Sequence, residues 1–220
     1  MFENIAELRE DIQLALGQTV YMVGTSLIIA VVLGGILGIV LYVTANPLFF
    51  KNAALNKIVG AILNVISSIP FLIFMILLLP LSMLIVGTKI GSQAVVVPLS
   101  IAATAFFARL AEASLSDVDN GVVEAGLSSG ATKTRVIFGL VLPEALSSIV
   151  KNITVTAISV LGFSAMAGLV GGGGLGDLAY RYGYQRYETD IMIMCVVILI
   201  VLVQVIQWVG ESIAKKLDRR

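Results

Sequence analysis

Gly171 to Gly176 reads G-G-G-G-L-G and so satisfies G-x-G-x-x-G, the spacing with which a loop brings a pyrophosphate against backbone N–H groups. That chemistry needs a strand before the loop and a helix after it in a soluble unit. Here the run follows a long apolar stretch and leads to Asp177 and Tyr180-Arg181-Tyr182-Gly183-Tyr184. A flexible turn with close backbone packing is the better reading. No G-x-x-x-x-G-K-[ST] occurs, so the chain does not cradle a nucleotide by the P-loop route. Histidine is absent and Cys195 is the single cysteine, inside an apolar run, which removes disulfides, zinc sites and Ser-His or Cys-His nucleophiles. Arg109 and Glu112 stand three apart and are expected to form a structural ion pair along one helix face, with a gate element as the alternative. No Asp or Glu lies deep within an apolar run, so the proton relay of a proton-driven carrier is missing. Any energy input must come from outside the chain.

The elements that hold these residues are set by composition. Of 220 residues, 58% are apolar and 13% charged, against roughly 45 to 50% and about 25% in soluble domains, so lipid is the solvent for most of this surface. The length fits one domain. Fourteen basic and fourteen acidic residues cancel, which leaves no case for a nucleic-acid partner. Glu3, Glu7, Glu10 and Asp11 occupy the place where a signal peptide carries positive charge, so the amino end is expected to be retained. Phe2, Ile5, Leu8, Ile12 and Ala15 or Leu16 recur at helical intervals, and residues 1–17 are expected to form an external amphipathic segment on the membrane surface.

The fold class expected is an all-α polytopic membrane protein with five transmembrane helices. The spans fall at about 18–43, 58–86, 94–116, 145–170 and 190–213, within a single transmembrane domain covering 18–214 and followed by a basic tail at 215–220. Lys151 is tolerable near the start of the fourth span because its long stem reaches toward water. Lys51, Lys57, Arg109, Lys133, Arg135, Lys151, Lys215, Lys216, Arg219 and Arg220 fall on one side of such a bundle, and Arg9, Lys89, Arg181 and Arg186 on the other. The basic excess marks the first side as cytoplasmic, the amino terminus as outside and the carboxyl terminus as inside. Pro70 and Pro80 in the second span and Pro98 in the third mark expected bends. Gly24, Gly34, Gly35 and Gly38 offer a small-residue face for close helix contact.

One polar segment interrupts this pattern. Residues 117–143 form a cytoplasmic loop in which Asn120 to Ser129 make a short helix, on the order of 15 Å long, too short to span and too polar to hide. Gly130 suits a left-handed turn that ends it, Thr132 can cap the next helix, and Pro143 bends or restarts the chain at the membrane. Ala125 and Gly126 give the short helix a low face that a partner's groove can approach, and Glu124 offers it a charge.

Glu124-Ala125-Gly126, three residues, Gly130, nine residues, then Leu140-Val141-Leu142-Pro143 closely resembles the cytoplasmic coupling loop of ABC importer permeases, E-A-A, three residues, G, nine residues, I-x-L-P. Gly126 replaces the second Ala and Leu140 the Ile. Ser68-Ile69-Pro70-Phe71, Ile85 to Gly91, Val97-Pro98-Leu99, Phe107-Ala108-Arg109, Leu142 to Ala145, Gly162-Phe163-Ser164-Ala165-Met166 and Gly173 to Gly176 together resemble the permease subunit of methionine ABC importers over nearly the whole chain. The resemblance implies a subunit of the bacterial cell membrane that forms, as a homodimer in the lipid bilayer, the pathway for methionine. It also implies two cytoplasmic ATPase subunits, which carry ATP and Mg, and an external substrate-binding lipoprotein. This chain itself would hold no cofactor and no catalytic site. Glu124, Ala125, Gly126, Gly130, Ala131, Thr132, Leu142 and Pro143 are the expected ATPase-coupling residues. Ser68, Pro70, Phe163 and Met166 are candidates for pathway or gate, with core packing as the alternative for Phe163 and Met166. Tyr182, Gly183 and Tyr184 are candidates for docking the binding protein. Two other readings stay open to the sequence: an importer of another amino acid, a peptide or a metal chelate, and a pore or secondary carrier that uses the loop for assembly alone.

Overall fold

The computed structural model describes residues 8–218, and every regular element among them is helical. α1 runs from Arg9 to Ala45, α2 from Ala53 to Ser68, α3 from Phe71 to Val86 and α4 from Ser92 to Ser116. After the short α5, Asn120–Ser128, one turn of helix α6, Lys133–Val136, passes through a π-helical turn, Ile137–Val141, into α7, Leu142–Gly168. α8, Gly174–Leu178, leads into a second π-helical segment, Ala179–Tyr184, and the chain ends in α9, Thr189–Leu217.

Side-chain contacts fix the directions of these helices. Gly34 on α1 lies against Thr104 and Phe107 of α4, and Gly38 lies against Ala108 and Ala111. Both numbers rise together, so α1 and α4 are parallel. The chain from Asn46 to Gly91 must therefore travel from the end that holds Ala45 and Ser116 back to the end that holds the start of α1 and α4. α2 and α3 make that return as one broken passage, bent by 109° between Ser68 and Phe71. Together with α1, α4, α7 and α9, each long and apolar enough to cross, the bent pair gives five passages. Ser148 of α7 meets Ser114 of α4 at 3.0 Å, and Asn152 Nδ2 donates to Leu110 O, so α7 runs antiparallel to α4. Ser147 Oγ donates to Ala214 O and Thr154 lies against Gly210, so α9 runs antiparallel to α7 in turn. The start of α1 and the end of α9 consequently lie at opposite ends of the bundle.

Pro70 stands at the break because it cannot donate within a helix and fixes its own φ; it becomes the residue just before α3. Pro80 and Pro98 sit inside α3 and α4 without breaking them. The helix before that break is also anchored on its neighbour. Arg109 of α4 donates from Nη2 to Gly60 O at 2.8 Å and to Asn64 Oδ1 at 2.7 Å, which holds the second half of α2 against α4. Its other terminal nitrogen makes the expected ion pair with Glu112, at 2.9 Å. Arg109 is thus more than an intrahelical partner.

Of the four small residues on α1, Gly34 and Gly38 serve helix contact: a Cβ would come within 2.8 Å of Thr104 O at the first and 2.7 Å of the Ala111 methyl at the second. Gly24 faces open space. The expected amphipathic face at the amino end is present from Leu8 onward, but it does not lie on a membrane surface. Leu8, Ile12, Ala15 and Leu16 pack on Leu175, Leu178, Ile191 and Cys195, and α1 continues without a break past residue 18. Buried apolar partners within reach outcompete the interface for that face. Phe2 and Ile5 of the same pattern lie outside the described residues.

Candidate functional site

α5 stands off the end of the bundle where α1, α4 and α9 finish. Asp119 caps it by accepting the Gly121 N–H at 2.7 Å, and Ser129 Oγ donates to Gly126 O at its other end. Gly130 follows at φ +85°, a left-handed conformation that a β-carbon disfavours, and Ala131 N donates back to Gly126 O at 3.3 Å. Thr132 then accepts the Arg135 N–H at 3.4 Å, as the sequence anticipates for a capping residue. The turn between the two helices is fully specified by these bonds.

Only one side of α5 is free. Val123 is fully buried in a cluster with Tyr42, Phe49, Leu115, Val136, Ile137 and Val141, while Gly121, Glu124, Ala125 and Ser128 are exposed. Gly126 falls on the buried side, against the expectation of a low face open to a partner. A Cβ there would come within 2.7 Å of Leu140 Cδ1 and 3.1 Å of Val136 Cγ2. The missing side chain therefore lets α5 seat on its own chain, and the exposed face is carried by Glu124 and Ala125. The two positions at which the loop departs from the family pattern, 126 and 140, touch each other: the smaller residue at one makes room for the leucine at the other.

Leu142 and Ala131 pack on the same buried cluster, and Pro143 is half-buried in the first turn of α7. A proline at 143 cannot donate to the carbonyl four residues back. The chain answers with the π turn, in which Leu142 N donates to Ile137 O, before α7 proceeds regularly. Lys133 ties the assembly to the α1–α2 connection by donating to Phe49 O and lying 5.2 Å from the Phe50 ring centre. Beside Glu124, a cleft of about 410 Å³ opens between Tyr42, Ala45 to Leu48, Ser116 and Asn120.

Halfway along the bundle, Phe163 of α7 stacks on Phe71 at the break between α2 and α3, with ring centres 4.6 Å apart and planes 16° from parallel. Pro70 and Phe163 line one cavity of about 270 Å³ with Phe74 and Phe106. Met166 is exposed nearly a turn further along α7, and Ser68 is exposed with its hydroxyl returned to Asn64 O. The structure thus brings Pro70 and Phe163 together and leaves Ser68 and Met166 outside that cavity.

At the opposite end, Tyr182 donates to Asp11 Oδ2 at 3.0 Å, which pushes its phenol above the ordinary value, and Arg186 lies 4.5 Å from its ring centre. Asp177 accepts from Arg181 at 2.8 Å and holds that guanidinium further into its charged range. Gly183 is pressed on Met192 of α9, leaving Tyr184 as the outward member of the three docking candidates, stacked on Tyr180. The glycine run before them is a turn with the close backbone packing expected of it, and it is tied to other spans. Gly174 N donates to Gln18 Oε1 at 2.8 Å and Leu175 N to Thr19 Oγ1 at 2.9 Å, while Gly91 N donates to Gly171 O.

Residues 30–219 match the family of binding-protein-dependent transport system inner membrane components. The chain belongs to this family. Among its relatives, the probable D-methionine transport system permease protein MetI of Vibrio cholerae is 45% identical over 223 residues, covering 100% of this chain and 99% of the relative. The methionine import system permease protein MetP of Bacillus subtilis is 41% identical over 180 residues, covering 82% of this chain and 81% of the relative. A crystal structure of the methionine ABC transporter MetNI in an inward-facing conformation superposes with a TM-score of 0.94 at 38% identity, with 100% of both chains covered. Family membership places this chain in the inner membrane, and the short helix expected over 120–129 is present as α5.

Sequence reasoning missed Asp119, whose cap starts α5, and the grip of Arg109 on α2. An acidic residue directly before a helix was a readable signal for the first. The second depends on a tertiary approach that no local pattern announces.

Proposed function

We propose that the chain is the membrane-spanning subunit of an ATP-driven methionine importer, working as a pair of copies. Two ATPase subunits bind the end that carries α5, and an external lipoprotein delivers cargo to the end that carries Tyr184. ATP and Mg act on the partner; this chain transmits. The observation that carries the reading is α5 itself: a nine-residue helix capped at both ends, seated by Val123 and Gly126, with Glu124 and Ala125 left exposed. The 45% identity to a D-methionine permease along its whole length supports methionine as cargo. The α5 end is cytoplasmic, because it gathers Lys51, Lys57, Arg109, Lys133, Arg135, Lys215 and Lys216, and the amino terminus is outside.

The proposed cycle is alternating access. Closure of the ATPase pair draws α5 inward by its exposed face, and the stiff continuation from Lys133 through the π turn passes that displacement to α7. Phe163 on α7 then shifts against Phe71 at the break of the second passage. Two packings of those rings, biased by the nucleotide state of the partner, are sufficient to open one side or the other. The test is radiolabelled methionine uptake by the chain reconstituted with its ATPase subunits and binding lipoprotein. ATP-dependent uptake is expected. Uptake that persists when hydrolysis is blocked would establish a pore or carrier, and ATP-driven uptake of another solute without competition by methionine would remove the cargo assignment alone.

A further inference from the structure

The cavity of about 270 Å³ beside the break of the second passage is walled almost wholly by apolar groups. Phe71 and Phe74 of α3, Phe106 of α4 and Phe163 of α7 give its lining four rings, and the stack of Phe71 on Phe163 forms one wall. Ile66, Ile69, Pro70 and Ala102 fill the places between the rings, and Ser67 brings the one side-chain hydroxyl. None of these residues is charged. Only Ser67 and Pro70 among them are exposed, and they form its mouth. Protein interiors leave few voids larger than a water molecule, so a space of this size between packed helices is unusual. Rings that border an unfilled space forgo contacts that an entering group would restore.

The volume falls just short of the roughly 300 Å³ at which small-molecule sites begin, which leaves room for one side chain and not for a larger solute. A lining without charge suits an apolar chain and offers nothing to an ammonium or a carboxylate. The break itself argues against lipid as the occupant. Ile69 N reaches only Ile66 O, at 3.4 Å, and Pro70 has no N–H to give, so helical bonding is interrupted at the mouth. Irregular backbone at membrane depth is kept from acyl chains and lies against protein or water. We propose that this cavity seats the side chain of the cargo during its passage, an unbranched thioether among the four rings, with the α-ammonium and α-carboxylate left in water at the mouth. A thioether sulfur makes favourable contacts at ring edges, and its unbranched chain has the torsional freedom to fill an irregular space. Phe163 then touches the cargo as well as Phe71, so a shift of that ring pair opens or closes the seat. The inference rests on the importer reading above.

The test uses Ser67→Cys in the chain assembled with its ATPase subunits in nanodiscs without nucleotide. A water-soluble thiosulfonate labels the new thiol, and peptide mass spectrometry reads position 67 apart from the buried Cys195. Methionine is expected to slow labelling about tenfold at a concentration where alanine, with the same charged groups and no chain, slows it less than about twofold. Norleucine, with a methylene in place of sulfur, is expected to protect with about threefold weaker affinity. Ala102→Leu fills the cavity without removing a ring and is expected to abolish protection, whereas Ala102→Ser leaves the space open and keeps it. Equal protection by alanine and methionine overturns the proposal, as does full protection in the Ala102→Leu chain. Norleucine as effective as methionine overturns the preference for sulfur. Labelling that is slow without any amino acid and no slower with methionine means a cavity closed or filled by lipid, which also overturns it. Absence of protection in a complex that imports methionine on ATP refutes the seat and leaves the importer standing; absence of ATP-driven methionine uptake refutes the importer itself.

Discussion

The two ends of this bundle carry the same parts in opposite service. Each has a short helix beside a π-helical segment and a glycine at positive φ, yet α5 is exposed along one face and α8 is enclosed. Asp119 caps α5 from the adjacent position in the chain, while the free N–H groups at the start of α8 are taken by Gln18 and Thr19, 156 residues away. A helix capped locally keeps its shape while its surroundings change; a helix capped by another span fixes that span. The difference separates a helix that keeps one face open from a knot that holds three spans together.

If the enclosed end is a knot, an added methyl group should undo it. A β-carbon at Gly176 would run into the backbone of Ala165, and one at Gly168 into the backbone at Asp177. Backbone cannot yield as a side-chain tip can. Gly176→Ala is therefore expected to cost about 3 kcal/mol or more, seen as loss of monodisperse protein in detergent and a lowered unfolding temperature. Normal yield and melting would show that the α7–α8 contact is looser than its geometry.

The exposed end should fail differently, in transmission and not in folding. Glu124 is exposed, and reversing its charge leaves every internal contact of α5 in place. Glu124→Lys is expected to lower ATP-driven methionine uptake at least about tenfold, by setting like charge against the partner, with melting unchanged. Gly130→Leu adds backbone strain of roughly 1 to 2 kcal/mol at φ +85° and is expected to uncouple as well. Normal ATP-driven uptake in both variants, with the protein inserted, would refute the coupling role.

The same contrast explains what could be read from the sequence. Apolar runs located the five passages, because lipid leaves the backbone no alternative to helix. The turn at Gly130 and Thr132 was legible because caps act within four residues. Gly126 was misassigned because a glycine announces close approach without naming the neighbour. The run from Gly171 to Gly176 looked flexible because its partners, Gln18 and Thr19, lie on the first helix. Pro70 marked a break, but neither the 109° bend nor the reach of Arg109 to Gly60 and Asn64 from another span is written in a local pattern.

A finer test of the exposed end concerns the pair that departs from the family pattern. Gly126→Ala pushes a methyl group toward Leu140 Cδ1, the tip of a flexible side chain, so the loss is expected to be about 1 kcal/mol. Adding Leu140→Ile withdraws that tip and is expected to recover most of it, a coupling that a double-mutant cycle measures by thermal melting. Strict additivity would mean that the two departures arose independently of their contact.

The smallest expected effect probes the knot from its rim. Tyr182 donates to Asp11, joining the start of α1 to the π-helical segment before α9, and this bond raises the phenol above its ordinary value of 10.0. A proton held more tightly in the folded chain stabilises it below the unfolded value, and that stabilisation is lost as pH rises through the raised one. Because the bond lies near solvent, Tyr182→Phe is expected to cost only about 0.5 kcal/mol at neutral pH. The wild type and the variant should then converge in melting temperature as pH climbs past 10, where the deprotonated tyrosine faces the Asp11 carboxylate with no proton to share. A gap that stays constant through that range would mean that the ring packing of Arg186, and not the hydroxyl, holds this corner.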